Sequence, residues 1–321
     1  MADAECRKMD GEHIGVPVRR KDAAERRADG MLEAWDPGVY RVMAAEAEWE
    51  PLAGGFRFVE GPAWVAEEQA LYFTDIPADT IYRWEAQTDR VSPFRRSSHK
   101  ANGLTRDPRG FLLACEHGTR SVSRLDRDGL FHPVATHYAG RRLNSPNDIV
   151  VDREGAIWFT DPTYGIDDDE IGYRAPPEQP VRGVYRVAPS GQVELMVDDM
   201  DMPNGLAFSP DGEILYVADT ARRHLRHFQV GESGHLADRG VFLAMDSVWG
   251  PGVPDGLRVT ATGELFVTGP GGIWIVDRRG HPLGLARTPE VPANCELGRL
   301  PHGLSLFITA RTSLYRVTLA L

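Results

Sequence analysis

The amino-acid sequence predicts an all-β protein that folds as a six-bladed β-propeller. A short motif recurs six times along the 321 residues, at intervals of roughly forty to sixty residues, which is typical of propeller blades. Within each repeat, apolar and polar residues alternate with a period of two, as they do in β-strands. No long helical pattern separates the strands, and this argues against the α/β classes.

The motif is clearest between Ser145 and Asp161, where the sequence reads SPNDIVVDREGAIWFTD. An Asn-Asp pair precedes an alternating strand, a polar turn and a second strand that ends on Asp161. The other five copies also open on an acidic or amide residue: Glu60, Asn102, Asn204, Asp255 and Asn294. Each copy therefore predicts the two inner strands of one blade.

A third alternating strand follows every copy of the motif. These strands are predicted at residues 81–84, 122–125, 184–187, 225–228, 273–276 and 314–317. The sixth repeat has no fourth strand of its own, so we expect the segment around residues 48–52 to cover its edge and close the ring. Residues 31–321 are predicted to be a single propeller domain. Residues 1–30 mix both charges with little apolar periodicity, and we expect a disordered extension there.

Composition limits the classes of partner. The formal net charge is −11 and there is no basic tract, which argues against nucleic acid as a partner. No apolar run is long enough to span a membrane, and a hydrophobic signal core is missing from the first residues. The three cysteines, Cys6, Cys115 and Cys295, are far apart and match no disulfide or zinc spacing. We therefore expect a cytoplasmic protein without a membrane partner, and the sequence leaves its oligomeric state open.

The opening residues of the repeats predict a site on the axis. All first strands start on one face of the ring, the top, so the opening residues meet there. Four of them, Glu60, Asn147, Asn204 and Asp255, offer two carboxylates and two amide carbonyls. Oxygen ligands of this kind suit Ca²⁺, with Zn²⁺ or Mn²⁺ as alternatives. The alternative is that Asn-Gly and Asp-Gly pairs are only turns, but each repeat already has its turn further along.

Several of these segments resemble the gluconolactonase/regucalcin (senescence marker protein) family. Its pattern is matched by Glu60-Gly-Pro-Ala-Trp, Asn147-Asp, Pro-Asn204-Gly-Leu and Pro-Asp255-Gly, while CEHGTR, IWFTDPTYGI and LFITARTSLYRV resemble its bacterial sugar-lactonase branch. The resemblance covers about residue 50 onward. It implies a six-bladed propeller, one divalent metal held by Glu60, Asn147, Asn204 and Asp255, and hydrolysis of a sugar lactone.

The residues also suggest how such a reaction would run. A metal would polarise the lactone carbonyl, and water would attack it directly, because no Gly-x-Ser-x-Gly nucleophile motif is present. Asp255 is the predicted general base. Candidate substrate-binding residues at the top are Asn102, His117, Ser145 and Tyr164, although His117 and Tyr164 could equally have structural roles. The long segment 165–182 is predicted to form a lid or wall over the central pocket.

Two other functions remain open on sequence alone. A hydrolytic propeller that acts on aryl esters or phosphotriesters could use the same metal, and a hydrophobic pocket at the top would favour it. A calcium-binding or protein-interaction propeller without enzymatic activity would instead have an open, flat top face.

Overall fold

The computed structural model describes residues 30–321 and confirms the predicted propeller. In this part of the chain, six antiparallel sheets form the blades, and their innermost strands contact one another in a closed ring. Residues 1–29, which make up nearly all of the predicted N-terminal extension, lie outside the described residues. No helix within residues 30–321 is long and apolar enough to cross a membrane.

In each blade, consecutive strands are arranged in order from the axis to the outside. Two strands, β1 (Leu32–Ala34) and β2 (Glu50–Gly54), precede the first blade. Blade one contains β3 (Val59–Val65), β4 (Ala70–Asp75), β5 (Thr80–Glu85) and β6 (Arg90–Arg96). Blade two contains β7 (Ala101–Arg106), β8 (Leu112–Glu116), β9 (Ser121–Leu125) and β10 (Phe131–Ala135). A small hairpin of β11 (His137–Tyr138) and β12 (Arg141–Arg142) follows.

The second half of the chain repeats this arrangement. Blade three contains β13 (Ile149–Val151), β14 (Ile157–Asp161), β15 (Gly183–Val187) and β16 (Val193–Val197). Blade four contains β17 (Pro203–Phe208), β18 (Ile214–Asp219), β19 (His224–Val230) and β20 (Leu236–Ala244). Blade five contains β21 (Leu257–Val259), β22 (Leu265–Gly269), β23 (Gly272–Val276) and β24 (Pro282–Arg287). Blade six contains β25 (Pro292–Leu300), β26 (Gly303–Ala310) and β27 (Ser313–Thr318), with β2 as its outer strand.

Helical segments are short and lie in connections. One α-helical turn, α1 (Tyr164–Asp167), begins the long loop of blade three. The 3₁₀ turns are Pro37–Arg41, Ala66–Glu68, Glu232–Gly234 and Ser247–Trp249. The period-two pattern therefore accounts for nearly all regular structure, as an all-β fold requires.

Strand β2 closes the ring. It pairs antiparallel with β27, so that Glu50 lies opposite Arg316, and the Arg316 guanidinium also binds the Glu50 carboxylate. The predicted closure by residues 48–52 is thus correct to within two residues. Strand β1 adds a further strand to the outside of blade five, which the sequence analysis did not predict. There, the Glu33 carboxylate accepts a hydrogen bond from Arg287 at 2.8 Å, and Trp35 packs against Trp249 and Trp274.

Large aromatic side chains fill the space between neighbouring blades. Trp84 of blade one contacts Phe307 of blade six at a ring-centroid distance of 5.4 Å, and both rings are fully buried. On the other side of the molecule, Trp158 of blade three meets Phe208 of blade four edge to face. Since buried aromatics contribute large apolar areas, these contacts fix each sheet against the next and hold the strand ends in register around the axis.

Glycines allow the innermost strands to approach closely. Gly205 follows Asn204, and a Cβ at this position would lie 2.1 Å from the carbonyl oxygen of Asp255 in the next blade. Gly61 follows Glu60 with φ +50°, and a Cβ there would lie 1.9 Å from the carbonyl oxygen of Asn102. Each of these strands also has a bulge beside its glycine. The Asn204-Gly205 and Glu60-Gly61 pairs therefore lie within bulged strands, where the glycines allow close packing between blades, and they do not form hairpin turns.

The Gly205→Ala substitution tests this packing. The new methyl group has only backbone to displace, so we expect the free energy of unfolding to fall by about 3 kcal/mol or more, measured by urea denaturation. Gly231→Ala is the matched control, because its φ is −101° and its Cβ would have its nearest neighbour at an ordinary 3.5 Å. Equal, small effects for the two variants would contradict the proposed role of Gly205.

Candidate functional site

The six residues that open the repeats lie at the same end of the innermost strands. Four of them lie within the first three residues of a strand: Glu60 in β3, Asn102 in β7, Asn204 in β17 and Asn294 in β25. The other two, Asn147 and Asp255, come just before β13 and β21. Because every first strand runs in the same direction from the top face, the fold brings these side chains together around the axis. Two surface cavities, of 270 and 460 Å³, open on the opposite face and share no residue with this cluster.

The Glu60 carboxylate is fixed by two donors. Its Oε2 accepts hydrogen bonds from the backbone N–H of Gly61 at 2.6 Å and from the Asn294 side-chain amide at 3.0 Å. Asn294 is itself oriented, because its Oδ1 accepts the backbone N–H of Cys295 at 2.9 Å. Burial raises the pKa of Glu60 to about 7, and the neighbouring Asp148 carboxylate adds to this rise. Glu60 is thus a rigidly held acceptor that carries its charge at an electrostatic cost.

Asp255 faces Asn204 across the gap between blades four and five. The Asn204 amide partly offsets the rise in the pKa of Asp255 and donates to Thr220 Oγ1 at 3.1 Å. Thr220 in turn donates to the Pro254 carbonyl oxygen at 2.6 Å, which holds the residue before Asp255. Burial raises the pKa of Asp255 well above its ordinary value, with Glu60 as the next cause. The two carboxylates therefore repel each other.

Tyr164, at the start of α1, brings a phenol to the same place. Its hydroxyl lies beside Asn204, Thr220 and Asp255, but it is buried and has no well-formed hydrogen bond to any residue within 30–321. Burial raises the pKa of this phenol to about 12. A buried hydroxyl without a partner among polar neighbours is the kind of group that a ligand or a water would satisfy.

The backbone of Asn147 forms hydrogen bonds with two neighbouring strands near the axis. Its N–H donates to the Thr160 carbonyl oxygen, and its own carbonyl oxygen accepts from Gly103 N–H, both at 2.8 Å. Since both backbone groups are used by neighbouring strands, the position of Asn147 is fixed by blades two and three. The side-chain amide makes no hydrogen bond with residues 30–321 and is left for other partners.

Two charged residues of the site were missed by sequence reasoning. Asp148 stands where most other repeats have glycine, and its carboxylate accepts backbone N–H groups of Ile149 and Leu206. Arg258, one residue into β21, interacts electrostatically with Asp148 and Glu60 and forms an ion pair with Glu296 at 3.2 Å. The replacement of glycine by aspartate was a readable signal. By contrast, an arginine in an alternating strand gives no sign that it points inward.

The structure places His117 and Ser145 behind the axial cluster. His117 is only 1% exposed, with Nδ1 at 3.0 Å from the Ile171 carbonyl oxygen and Nε2 at 3.3 Å from the Asn102 amide nitrogen. The Ser145 hydroxyl is also buried. It donates to the Pro162 carbonyl oxygen at 2.6 Å and accepts the Gly165 N–H at 3.0 Å. The polar atoms of both residues are hydrogen-bonded within the protein, and their role in substrate binding stays a prediction.

Residues 162–182, the lid loop, extend from blade three across the top of blades two and one. Lys100 Nζ donates to the Glu170 carbonyl oxygen at 3.1 Å, and Arg57 binds the Glu170 carboxylate at 2.5 Å. At the other end of the loop, the Gln179 amide donates to backbone carbonyls of Tyr138, Arg141 and Arg142. The predicted lid is therefore an ordered loop with anchors on both sides.

A closed propeller with carboxylate and amide side chains from several blades at one end of its axis, beneath an ordered loop, has the architecture of a propeller enzyme. Polar groups that converge with strongly shifted pKa values are typical of catalytic sites.

Residues 58–312 match the family described as SMP-30/Gluconolactonase/LRE-like region, and the chain belongs to that family. It is 31% identical over 311 residues to a gluconolactonase from Zymomonas mobilis, covering 90% of this chain and 86% of the relative. A pentonolactonase from Haloferax volcanii is 28% identical over 79% of this chain and 81% of its own length. The structure of a gluconolactonase from Xanthomonas campestris has a TM-score of 0.83 at 34% identity, covering 90% of this chain and 94% of that chain. These relationships confirm the family resemblance and the prediction of a lactonase.

The neutral state of His117 gives a pH-dependent prediction. Burial lowers the pKa of His117 from 6.5 to about 4, so the unfolded chain binds a proton near pH 5 that the folded chain does not. Between pH 7 and pH 5 the wild-type protein should therefore lose about 2 kcal/mol more stability than a His117→Gln variant. Urea denaturation at several pH values measures this difference. Parallel stability profiles for the two proteins would show that His117 titrates normally in the folded state.

Proposed function

We propose that this chain hydrolyses a sugar lactone at the top of the propeller axis, with a divalent metal ion and direct attack by water. The observation that carries the proposal is the convergence of the Glu60 and Asp255 carboxylates with the Asn147 and Asn204 amides, which come from four different blades. The lactonase relatives support the reaction type, and the polar lining supports a hydroxylated substrate.

The donor set fits a hard cation. Glu60 and Asp255 repel each other, and Asp148 adds a third carboxylate, whereas Arg258 is the cation nearest to them and also pairs with Glu296. A bound divalent cation would offset this excess of negative charge. Among residues 30–321, no cluster of three or more His, Cys, Asp and Glu side chains could hold a metal, and the proposed site combines two carboxylates with two amide oxygens. Carboxylate and amide oxygens suit Ca²⁺ and Mn²⁺ better than Zn²⁺, and Ca²⁺ is the ion proposed here.

Each residue of the proposed site has a separate role in hydrolysis. The metal, when bound to Glu60, Asn147, Asn204 and Asp255, would supply positive charge at the lactone carbonyl. Asp255 takes the proton from the attacking water, because its hydrogen-bonding capacity is less used than that of Glu60 or Asp148. Glu60 is unsuited to this task, since Gly61 and Asn294 already occupy one of its oxygens. Asn204 keeps Asp255 oriented.

Polar side chains around the cluster would bind the sugar hydroxyls. The Tyr164 hydroxyl and the Asn102 side-chain oxygen have no partner within the described residues and are the candidates for direct contact. Ser145 and His117 would act indirectly, through the lid loop and through Asn102. These polar groups disfavour aryl esters, which need an apolar pocket, and the lid loop disfavours a flat protein-docking face.

A metal and substrate panel tests the proposal. Metal-stripped protein should lose turnover of glucono-δ-lactone and related sugar lactones, and Ca²⁺ should restore more activity than Zn²⁺ or Mn²⁺. A pH-indicator assay measures acid release, with phenyl acetate and a phosphotriester as comparison substrates. Full activity after metal removal would disprove metal dependence, and faster turnover of the aryl ester would favour the alternative hydrolase.

Two substitutions separate the proposed base from a simple ligand. Asp255→Asn keeps an oxygen donor but cannot accept the proton, so we expect a loss of about 10²–10⁴-fold in kcat that added metal does not rescue. Asn204→Ala removes a neutral ligand, and saturating metal should recover part of its activity. Steady-state kinetics against metal concentration measure both effects. Recovery of near-normal kcat by Asp255→Asn at high metal concentration would mean that Asp255 only holds the ion.

A further inference from the structure

A chain of two hydrogen bonds leads from the lid loop to the axial cluster. The Ile171 carbonyl oxygen can only accept a hydrogen bond, so His117 Nδ1, at 3.0 Å, must carry the hydrogen. The buried imidazole is neutral, and its Nε2 is then an acceptor. The amide nitrogen of Asn102 lies 3.3 Å from this atom and donates to it. One tautomer and one amide orientation therefore satisfy all three groups.

The opposite amide orientation would be costly. If Asn102 were flipped, its Oδ1 would face the Nε2 lone pair, and two acceptors would be buried against each other. The Asn102 backbone is fixed independently, because its carbonyl oxygen accepts the Thr74 hydroxyl at 3.1 Å and packs on Gly61. His117 is thus the group that sets the direction of the Asn102 side chain. The amide oxygen is left without a partner among residues 30–321, at the register of the axial cluster.

We propose that His117 is a positioning residue that presents the Asn102 side-chain oxygen to the axial site as an acceptor for a substrate hydroxyl. The orientation is imposed by the lid loop through the Ile171 carbonyl, so docking of the lid loop and selection of hydroxylated lactones are coupled. This inference rests on the proposed lactonase function, and it adds the origin of selectivity for lactones that carry a hydroxyl donor.

Substrate selectivity gives the kinetic test. The variants His117→Leu and Asn102→Ala should each lower kcat/KM for glucono-δ-lactone about tenfold or more relative to δ-valerolactone, which has no hydroxyl group to donate. His117→Gln retains an amide donor for Ile171 and an oxygen acceptor for Asn102, so it should restore most of the selectivity. Equal losses on both lactones for His117→Leu would show a merely structural role and overturn the proposal.

A double-mutant cycle tests whether His117 acts through Asn102. In the Asn102→Ala background, His117→Leu should cause no further loss of selectivity, whereas independent roles would give additive losses. Lys100→Met tests the lid-loop anchor, because Lys100 binds the Pro77 and Glu170 carbonyls and not Asn102. By loosening the segment that holds Ile171, it should lower the selectivity in the same direction as His117→Leu, and to a smaller extent. Additive losses in the cycle would refute the coupling.

Nuclear magnetic resonance tests the hydrogen-bond chain without turnover. In protein labelled with ¹⁵N-histidine, the imidazole signals that vanish in His117→Gln are assigned to His117. They should show a neutral ring with hydrogen on Nδ1 and a lone pair on Nε2 at pH 7. Hydrogen on Nε2 would reverse the chain and overturn the proposal. If the wild-type protein hydrolysed no lactone, the proposed function would fail while this spectrum still decided the orientation of Asn102.

Discussion

The close approach of six strand ends around one axis is the constraint on which the rest of this structure depends. Where Gly61 and Gly205 meet the next blade, there is room for a backbone carbonyl and not for a methyl group. The residue before each glycine is consequently held at the axis by the same contacts that close the ring. Glu60 and Asn204 are therefore positioned by the packing of whole blades, which gives the site a precision that a surface loop could not provide.

The same crowding produces the electrostatics of the site. The carboxylates at the strand ends of blades one, three and five cannot move apart without opening the ring, so the repulsion among Glu60, Asp148 and Asp255 is built into the fold. Arg258 offsets part of it from within β21, but this guanidinium also binds Glu296. Burial of charge in this way costs stability and is kept where a site needs it. The top end of the axis therefore carries an excess of negative charge that the fold itself imposes.

Much of the fold could be predicted from the sequence because the same strand pattern recurs in six repeats. Period-two alternation correctly predicted the third strand of each blade. The lack of a fourth strand in the last repeat indicated that a segment near residue 50 closes the ring. The side chains that act across blades could not be read in this way. Arg258 looks like an ordinary strand residue, and the polar atoms of Ser145 and His117 are used by the lid loop, whose path depends on anchors as distant as Lys100. Strand β1 was missed because three residues give too short a pattern.

The pairing of β1 with β24 and of β2 with β27 joins segments that are far apart in sequence, since Glu50 and Arg316 are 266 positions apart. During synthesis, β2 emerges from the ribosome early and has no partner until the last blade follows it. An unpaired strand edge is prone to associate with other chains, and the proline and the charged residue at the start of β2 limit that risk. Closure of the ring therefore waits for the last blade, and the axial site is complete only once β2 and β27 have paired.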